Sequence, residues 1–247
     1  MDENQFIKTL NYGLDRMGIN IQKEKKKIFW IYLNFLIQEN KKYNLTGIDD
    51  PEKIIYKHFL DSLSIINKIE FKKNEKIIDI GTGAGFPGFV LKIVFPEIDL
   101  ILLDSRLKRI HFLKMLINEQ LSEYSYLGDN IKIFHERAEK LAQNNNYRQK
   151  FDYVLSRAVA PMNILCEYTL PFLKMNKIAV LYKGKNYQKE IANAEKALTE
   201  LGGKIVQVEN VEIPKIDKKR VLIYINKIAD TPDKYPRKPG IPKKRPL

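Results

Sequence analysis

An apolar segment, Lys76-Ile77-Ile78-Asp79-Ile80, runs directly into Gly81-Thr82-Gly83-Ala84-Gly85-Phe86-Pro87-Gly88. A short apolar run that stops at glycine predicts a buried strand, and backbone so poor in side-chain bulk can pass close under a nucleotide-like ligand. A second apolar run, residues 98–103, ends at Asp104, nineteen positions beyond Gly85. A nucleoside-binding sheet places an acid on the ribose hydroxyls at this point, so the two features together predict an adenosine cofactor at the carboxyl ends of parallel strands.

The remainder of the chain supports such a sheet. Strand-like runs near 76–80, 98–103, 131–134, 151–155 and 178–182 alternate with helical segments near 87–95, 106–121, 137–143, 161–175 and 187–201, which predicts parallel strands with helices on both faces. Segments 204–211 and 220–228 come next, with only a short polar link between them, so a closing hairpin supplies one antiparallel strand. The fold class is therefore α/β, a mostly parallel seven-stranded sheet over residues 71–230.

Residues 1–70 read as a helical extension. Phe6, Leu10, Leu14 and Met17 keep helical spacing, and Asp49-Asp50-Pro51-Glu52 is a helix start with an acidic cap before a proline. The lysine-rich stretch 23–27 is expected to be a solvated helix start. At the other end, residues 231–247 carry five prolines and six basic residues, a composition that predicts no regular element, either a disordered appendage or an arm draped over the body.

Lys and Arg number 43 against 30 Asp and Glu, a formal charge of +13. Such an excess points to a polyanion, nucleic acid ahead of an acidic membrane. The RNA-facing candidates are Lys183 and Lys185, directly after a strand, and Arg237, Lys238, Lys243, Lys244 and Arg245 of the tail; Tyr235 could stack on a base. No secretory segment and no apolar run of membrane-spanning length is visible, so a cytoplasmic protein is expected. The only cysteine, Cys166, excludes an internal disulfide and a cysteine-rich zinc site, and reads as a packed helix thiol. His58, His111 and His135 show no ligand spacing, and no metal is expected.

Two cofactors fit the glycines. Residues 83–88 satisfy the dinucleotide pattern G-x-G-x-x-G, while residues 79–85 satisfy D-x-G-x-G-x-G, the arrangement of S-adenosylmethionine sites. A pyrophosphate requires helix amides without a nearby acid, whereas a sulfonium-bearing amino acid tolerates a carboxylate, so Asp79 favours the methyl donor. Asp79, Gly81, Gly83, Gly85 and Asp104 are the candidate cofactor residues on this basis. After the third strand, the Ala138 amide and Glu139 carboxylate could read the adenine edge; alternatively Glu139 is a first-turn helix acid.

Chemistry is expected at Ser156-Arg157-Ala158-Val159-Ala160-Pro161, after the fourth strand. The stretch lacks both the Asn/Asp-Pro-Pro-aromatic loop of amine methylation and the Pro-Cys nucleophile of pyrimidine-carbon methylation. A target that is already nucleophilic, such as a ring nitrogen with a free lone pair, needs alignment and electrostatics only. No general base is assigned: His58 and Asp61, one helical turn apart, read equally as a surface pair or a functional one. Arg157 is the candidate for shaping the site, its alternative being a structural ion pair.

Taken together, Asn44-Leu45-Thr46, the stretch 58–63, the loop 81–88, Asp104-Ser105 through Phe112-Leu113, Arg137-Ala138-Glu139, Ser156-Arg157-Ala158-Val159 and the tail from Tyr235-Pro236-Arg237 resemble the bacterial small-subunit ribosomal RNA methyltransferase G family, also called glucose-inhibited division protein B. The resemblance runs from Asn44 to the last residue. It implies a Rossmann-like class I methyltransferase that moves a methyl group from S-adenosylmethionine to guanine N-7 in 16S ribosomal RNA, near the decoding site, on the RNA or the small ribosomal subunit. It also implies cofactor contacts at Gly81, Phe86, Ala138, Glu139 and Arg157, with Asp104 at the ribose, and makes the tail a functional arm. Val90 departs from the family, whose members commonly have proline there. A nicotinamide-dependent oxidoreductase and a non-catalytic RNA-binding assembly protein are the competing readings.

Overall fold

The computed structural model describes residues 1–247. Seven strands, β1 (Lys76–Ile80), β2 (Asp99–Asp104), β3 (Ile131–His135), β4 (Phe151–Arg157), β5 (Leu173–Lys183), β6 (Gly203–Val211) and β7 (Arg220–Lys227), form one sheet in the order β3-β2-β1-β4-β5-β7-β6. The first five are parallel, and β7 runs antiparallel to both β5 and β6. The order reverses between β1 and β4, the switch point at which an open α/β sheet receives its ligands.

Because the central strands are covered on both faces, they read as continuous apolar runs, but the two-residue alternation still sorts their side chains. Ile77, Leu102 and Leu155 join one buried cluster of 44 residues, while Ile78, Ile80, Leu103 and Val154 join a second of 25 on the opposite face. The larger cluster contains Phe6, Tyr32 and Phe59, so the amino-terminal helices share a core with the sheet. Helix α1 (Glu3–Arg16) starts at Asp2, whose carboxylate caps the Gln5 amide, and α2 (Lys23–Tyr43) ends at Asn44 in the left-handed conformation. Asp50 caps the turn Pro51–Ile54 as its sequence predicts, accepting from Lys53 N at 2.7 Å. The helix then widens into a π-helix, Ile55–Leu60, a form frequent at functional sites. It brings His58 and Asp61 to the carboxyl edge of the sheet.

The structure departs from expectation in several places. Strand β5 begins at Leu173, because the helix Met162–Thr169 stops short and Pro171, which has no N–H to donate, sits in a 3₁₀ turn, Leu170–Phe172. The segment 106–121 is an α-helix, Leu107–Met115, continued by a π-turn, Leu116–Gln120, and 187–201 splits into Tyr187–Ala192 and Glu195–Leu201. The lysines of 23–27 are only partly solvated: Lys25 Nζ donates to the Val94 carbonyl and Lys26 Nζ to Asn11 Oδ1, each at 2.7 Å. The tail packs on the body and forms a helical turn, Ile241–Lys244, so its proline content does not prevent order.

Candidate active site

Two hollows open at the carboxyl edge of the central strands. The first, about 330 Å³, is lined by Gly81, Asp104, Ala138 and Glu139 with Ile80, Leu103 and Ile164. Asp104 is locked in place: Oδ1 accepts from Arg106 N at 2.9 Å, and Oδ2 from Gly83 N at 3.0 Å and Arg109 Nη1 at 2.9 Å. Such charge-assisted bonds fix a carboxylate's direction. Arg109 lines the same cavity, and its Nε is a buried donor without a partner. A carboxylate beside a strand-end glycine, with the Ala138 backbone and Glu139 carboxylate across an apolar floor, suits a nucleoside. Ribose hydroxyls and an adenine amino group both donate to carboxylates.

Gly81 has φ +70°, and a Cβ added there would lie 2.4 Å from Val159 Cγ2. Only glycine therefore lets the loop after β4 close on the turn. Gly81→Ala is expected to lower turnover at least about ten-fold by pushing Val159 away, since misplacement of about 1 Å at a reacting centre can cost about 100-fold in rate. Steady-state kinetics beside a thermal melt check it.

The other loop candidates lie beneath the cavity. Asp79 shares its side of β1 with Ile77, so it points away from Ile80 and the cavity floor and is fully buried. Its Oδ2 accepts the Gly88 amide at 2.8 Å. That carboxylate occupies the helix-start amide a pyrophosphate would use, which counts against a dinucleotide. Gly85, at φ +105°, leaves space that a Cβ would take from the Tyr32 hydroxyl at 2.7 Å. Phe86 is buried, stacking on Tyr32 with centroids 5.4 Å apart and on His58 at 4.6 Å. Gly83 acts through its amide on Asp104.

Burial pushes the Asp79 carboxyl from 3.8 up to about 6, against the pull of the Thr82 hydroxyl and the Gly88 amide. Between those values the folded chain holds a proton that the unfolded chain has released, so stability falls as pH rises through this window. Asp79→Asn is expected to stabilise the protein on the order of 3 kcal/mol above pH 6 and by progressively less toward pH 4. Urea melts at several pH values test this, and a gain that does not fade in acid would contradict it.

The second hollow, about 560 Å³, contains His58, Asp61, Arg157, Tyr182 and Lys183, and shares residues 158–161 with the first as a common wall. Ala158 stands in that wall at φ +57°, a conformation costly for a residue with a Cβ and one that clusters at functional sites. Arg157 donates through Nη1 to Asp61 Oδ2 at 2.8 Å and to the Lys57 carbonyl at 3.2 Å, and its guanidinium lies 5.1 Å from the Phe86 ring centroid. Asp61 also receives Arg220 at 3.4 Å. Burial, reinforced by Arg157, drives the His58 pKa down to about 3. Arg157 Nη2 faces His58 Nδ1 at 3.2 Å, which makes Nδ1 the acceptor and leaves Nε2–H to donate to Thr46 Oγ1 at 2.8 Å. His58 and Asp61 are thus an interior pair clasping Arg157, not a surface pair.

The structure therefore brings Gly81, Asp104, Ala138 and Glu139 together around one cavity. Asp79, Gly83, Gly85 and Phe86 support it, and Arg157 stands in the adjoining cleft. Among the basic candidates, Lys183 Nζ is taken by the Ala160 carbonyl at 2.8 Å and Glu190 at 2.6 Å, and Arg237 by Glu167. Lys185, Lys238, Lys244 and Arg245 are exposed, while Lys243 is exposed and borders the first cavity. Cys166 is buried in its helix, and burial raises its thiol to about 12. Sequence reasoning misses Arg109 and Glu167; only the Asp104-to-Arg109 spacing, within one helical start, hints at the first.

The sequence profile described as rRNA small subunit methyltransferase G matches residues 25–221. A ribosomal RNA small subunit methyltransferase G from Alkaliphilus metalliredigens is 42% identical over 96% of this chain and 97% of its own length. One from Thermoanaerobacter pseudethanolicus is 42% identical over 99% of this chain and 100% of its own. Among solved structures, an S-adenosylmethionine-dependent O-methyltransferase from Thermotoga maritima aligns over 80% of this chain and 72% of its own, with TM-score 0.52 and 16% identity. A predicted O-methyltransferase from Agrobacterium tumefaciens aligns over 69% and 82%, with TM-score 0.54 and 14% identity, a likeness of fold alone. With a profile match over most of its length and relatives of this identity end to end, the chain belongs to the rRNA small subunit methyltransferase G family.

Proposed function

We propose that the chain transfers a methyl group from S-adenosylmethionine to the N-7 of a guanine in 16S ribosomal RNA. Family membership makes it an S-adenosylmethionine-dependent methyltransferase of small-subunit ribosomal RNA; the receiving atom is the finer inference. One observation carries it: the cleft offers no uncommitted base. His58 is neutral and clasps Arg157, Asp61 is shared by two arginines, and Glu190 accepts from Lys183 and from Met162 N at 2.9 Å. An exocyclic amine or a ribose hydroxyl must lose a proton on methylation, whereas guanine N-7 attacks with a lone pair already free.

Bound S-adenosylmethionine supplies an electrophilic methyl group. On this reading Asp104 holds the ribose, Ala138 and Glu139 hold the base, and Gly81 admits the Val159 loop that separates the nucleoside cavity from the cleft. Arg157, with Phe86 behind it, shapes the cleft where the guanine enters. Arg220 lines both that cleft and a further hollow with Arg16, Lys215, Lys218 and Lys219, and this positive track suits the phosphates flanking the target. No helix is long and apolar enough to cross a membrane, and a cytoplasmic location is proposed with the substrate.

Unmodified small ribosomal subunits incubated with the protein and methyl-labelled cofactor are expected to yield 7-methylguanosine on digestion and mass spectrometry. Label on an exocyclic amine, a ring carbon or a ribose oxygen would contradict the proposal. The single-turnover rate is further expected to stay flat between about pH 6 and pH 9, because no group in the cleft must lose a proton; a unit slope would reveal a base.

A further inference from the structure

The tail is fastened by body residues remote from the cleft. Arg148 donates to the Thr231 and Tyr235 carbonyls, and Gln143 to the Pro236 carbonyl, each at 2.7 Å. Glu167, fully buried, accepts the Arg237 amide at 2.6 Å and its guanidinium through Nη2 at 2.6 Å and Nε at 3.0 Å. The Tyr235 ring is buried and its hydroxyl bonds Glu200. A basic, aromatic segment that sequence alone assigns to RNA therefore spends its anchoring residues on the protein itself.

These anchors fix the course of residues 238–247. Gly240 N donates to Glu139 Oε1 at 3.0 Å, across 101 positions of chain. The turn Ile241–Lys244 packs on the helix Met162–Thr169 with Pro242 buried. Glu139 and Lys243 both line the nucleoside cavity, as do Ile164 and Tyr168 of the helix beneath. The Glu139 carboxylate is thus shared between arm and cavity.

We propose that the carboxyl-terminal arm is a wall of the cofactor site: the Gly240 amide orients Glu139 for the adenine, and Lys243 borders the base as a donor to its ring nitrogens. The inference rests on the S-adenosylmethionine reading above and extends it to residues beyond the profile match. Its physical basis is pre-organisation. A glutamate held by one oxygen has less rotamer freedom to lose when the ligand arrives than a free one, and that saving appears as affinity. Linkage makes the effect reciprocal, so cofactor must strengthen docking of the arm by the factor with which the arm strengthens cofactor binding.

The test uses the full chain and S-adenosylhomocysteine as probe. Gly240→Pro removes the amide and cannot adopt φ +84°, releasing the residues beyond it while leaving the Arg237–Glu167 pair intact. Lys243→Met alters one exposed side chain and no buried contact. Calorimetric titration is expected to show about ten-fold weaker binding for Gly240→Pro and a several-fold loss for Lys243→Met, with RNA affinity of the cofactor-free proteins changed less than two-fold for Gly240→Pro. In the unaltered protein, S-adenosylhomocysteine is expected to slow tryptic cleavage between Lys243 and Lys244. Binding within two-fold of wild type in both variants, or no protection of that bond, overturns the proposal. Should Gly240→Pro fail to fold, Lys243→Met and the cleavage rate decide. Failure of the unaltered protein to bind S-adenosylhomocysteine at all would sink the cofactor reading instead, which separates the two.

Discussion

Arg157→Met is expected to melt about 10 °C below the unaltered protein and to lose methyl transfer. Arg157 and Asp61 have side chains only 11% and 7% exposed, so the change leaves a buried carboxylate with Arg220 at 3.4 Å as its remaining partner. Stripping one member from a buried pair costs about 3–5 kcal/mol, and a chain of this length loses roughly 2–4 °C for each. The same change frees the Phe86 face and the His58 Nδ1 acceptor, so the cleft wall loosens. Asp61→Asn combined with Arg157→Met removes both charges and is expected to recover most of the stability, because a missing pair costs much less than a broken one. Activity is expected to stay lost in the double variant, since the Arg157 guanidinium no longer shapes the cleft. Calorimetry and single-turnover kinetics on the three variants check this, and a double variant as active as wild type would reduce Arg157 to a structural ion pair.

Asp104→Ala is expected to weaken S-adenosylhomocysteine binding about a hundred-fold. The carboxylate receives two backbone amides and one guanidinium, and the proposed ribose hydroxyls would add to that set. Hydrogen bonds to a charged group contribute about 1.5–3 kcal/mol each, and two lost from the ligand account for the factor. Loss of the Gly83 anchor also slackens the glycine turn, while Arg109 loses its carboxylate partner. Asp104→Asn keeps an acceptor but brings a donor toward Arg109, and is expected to fall between. An unchanged affinity by calorimetry would remove Asp104 from the site.

Contiguous chemistry is legible in this sequence, while chemistry assembled by the fold is not. The β1 turn announces itself because Asp79 through Gly88 act as one local piece of backbone, and Asp104 because the next parallel strand places it at a fixed spacing. The central strands are legible because burial on both faces leaves uninterrupted apolar runs. Strand β5 starts earlier than its apolar run predicts because Lys174 and Asn176 interrupt that pattern, and its first residue is held by pairing to Phe151, far back in the chain. The break between Tyr187–Ala192 and Glu195–Leu201 falls at Asn193, a residue that exposed helices tolerate, so no local signal marks it.

The clasp on Arg157 is illegible for a different reason. Asp61 lies 96 positions before it, and a His-x-x-Asp helical spacing looks the same on a surface as in an interior. The arm offers a parallel case, since its basic residues look like RNA contacts until Glu167, 70 positions away, is found beneath Arg237. Charge is a sound guide to the partner of the whole molecule and a poor one to the role of each lysine or arginine, because ion pairs such as Lys183–Glu190 and Arg237–Glu167 cancel locally.

On the function proposed above, the turn after β1 and the acid ending β2 hold a methyl donor whose reactive end meets the cleft across residues 158–161. The most direct test is a crystal structure of the protein soaked with S-adenosylhomocysteine. Ribose hydroxyls are expected on Asp104, the base between Ala138 and Glu139, and sulfur beside Gly81 and the Val159 loop. Density for the ligand elsewhere on the sheet, or a ribose turned away from Asp104, would contradict it.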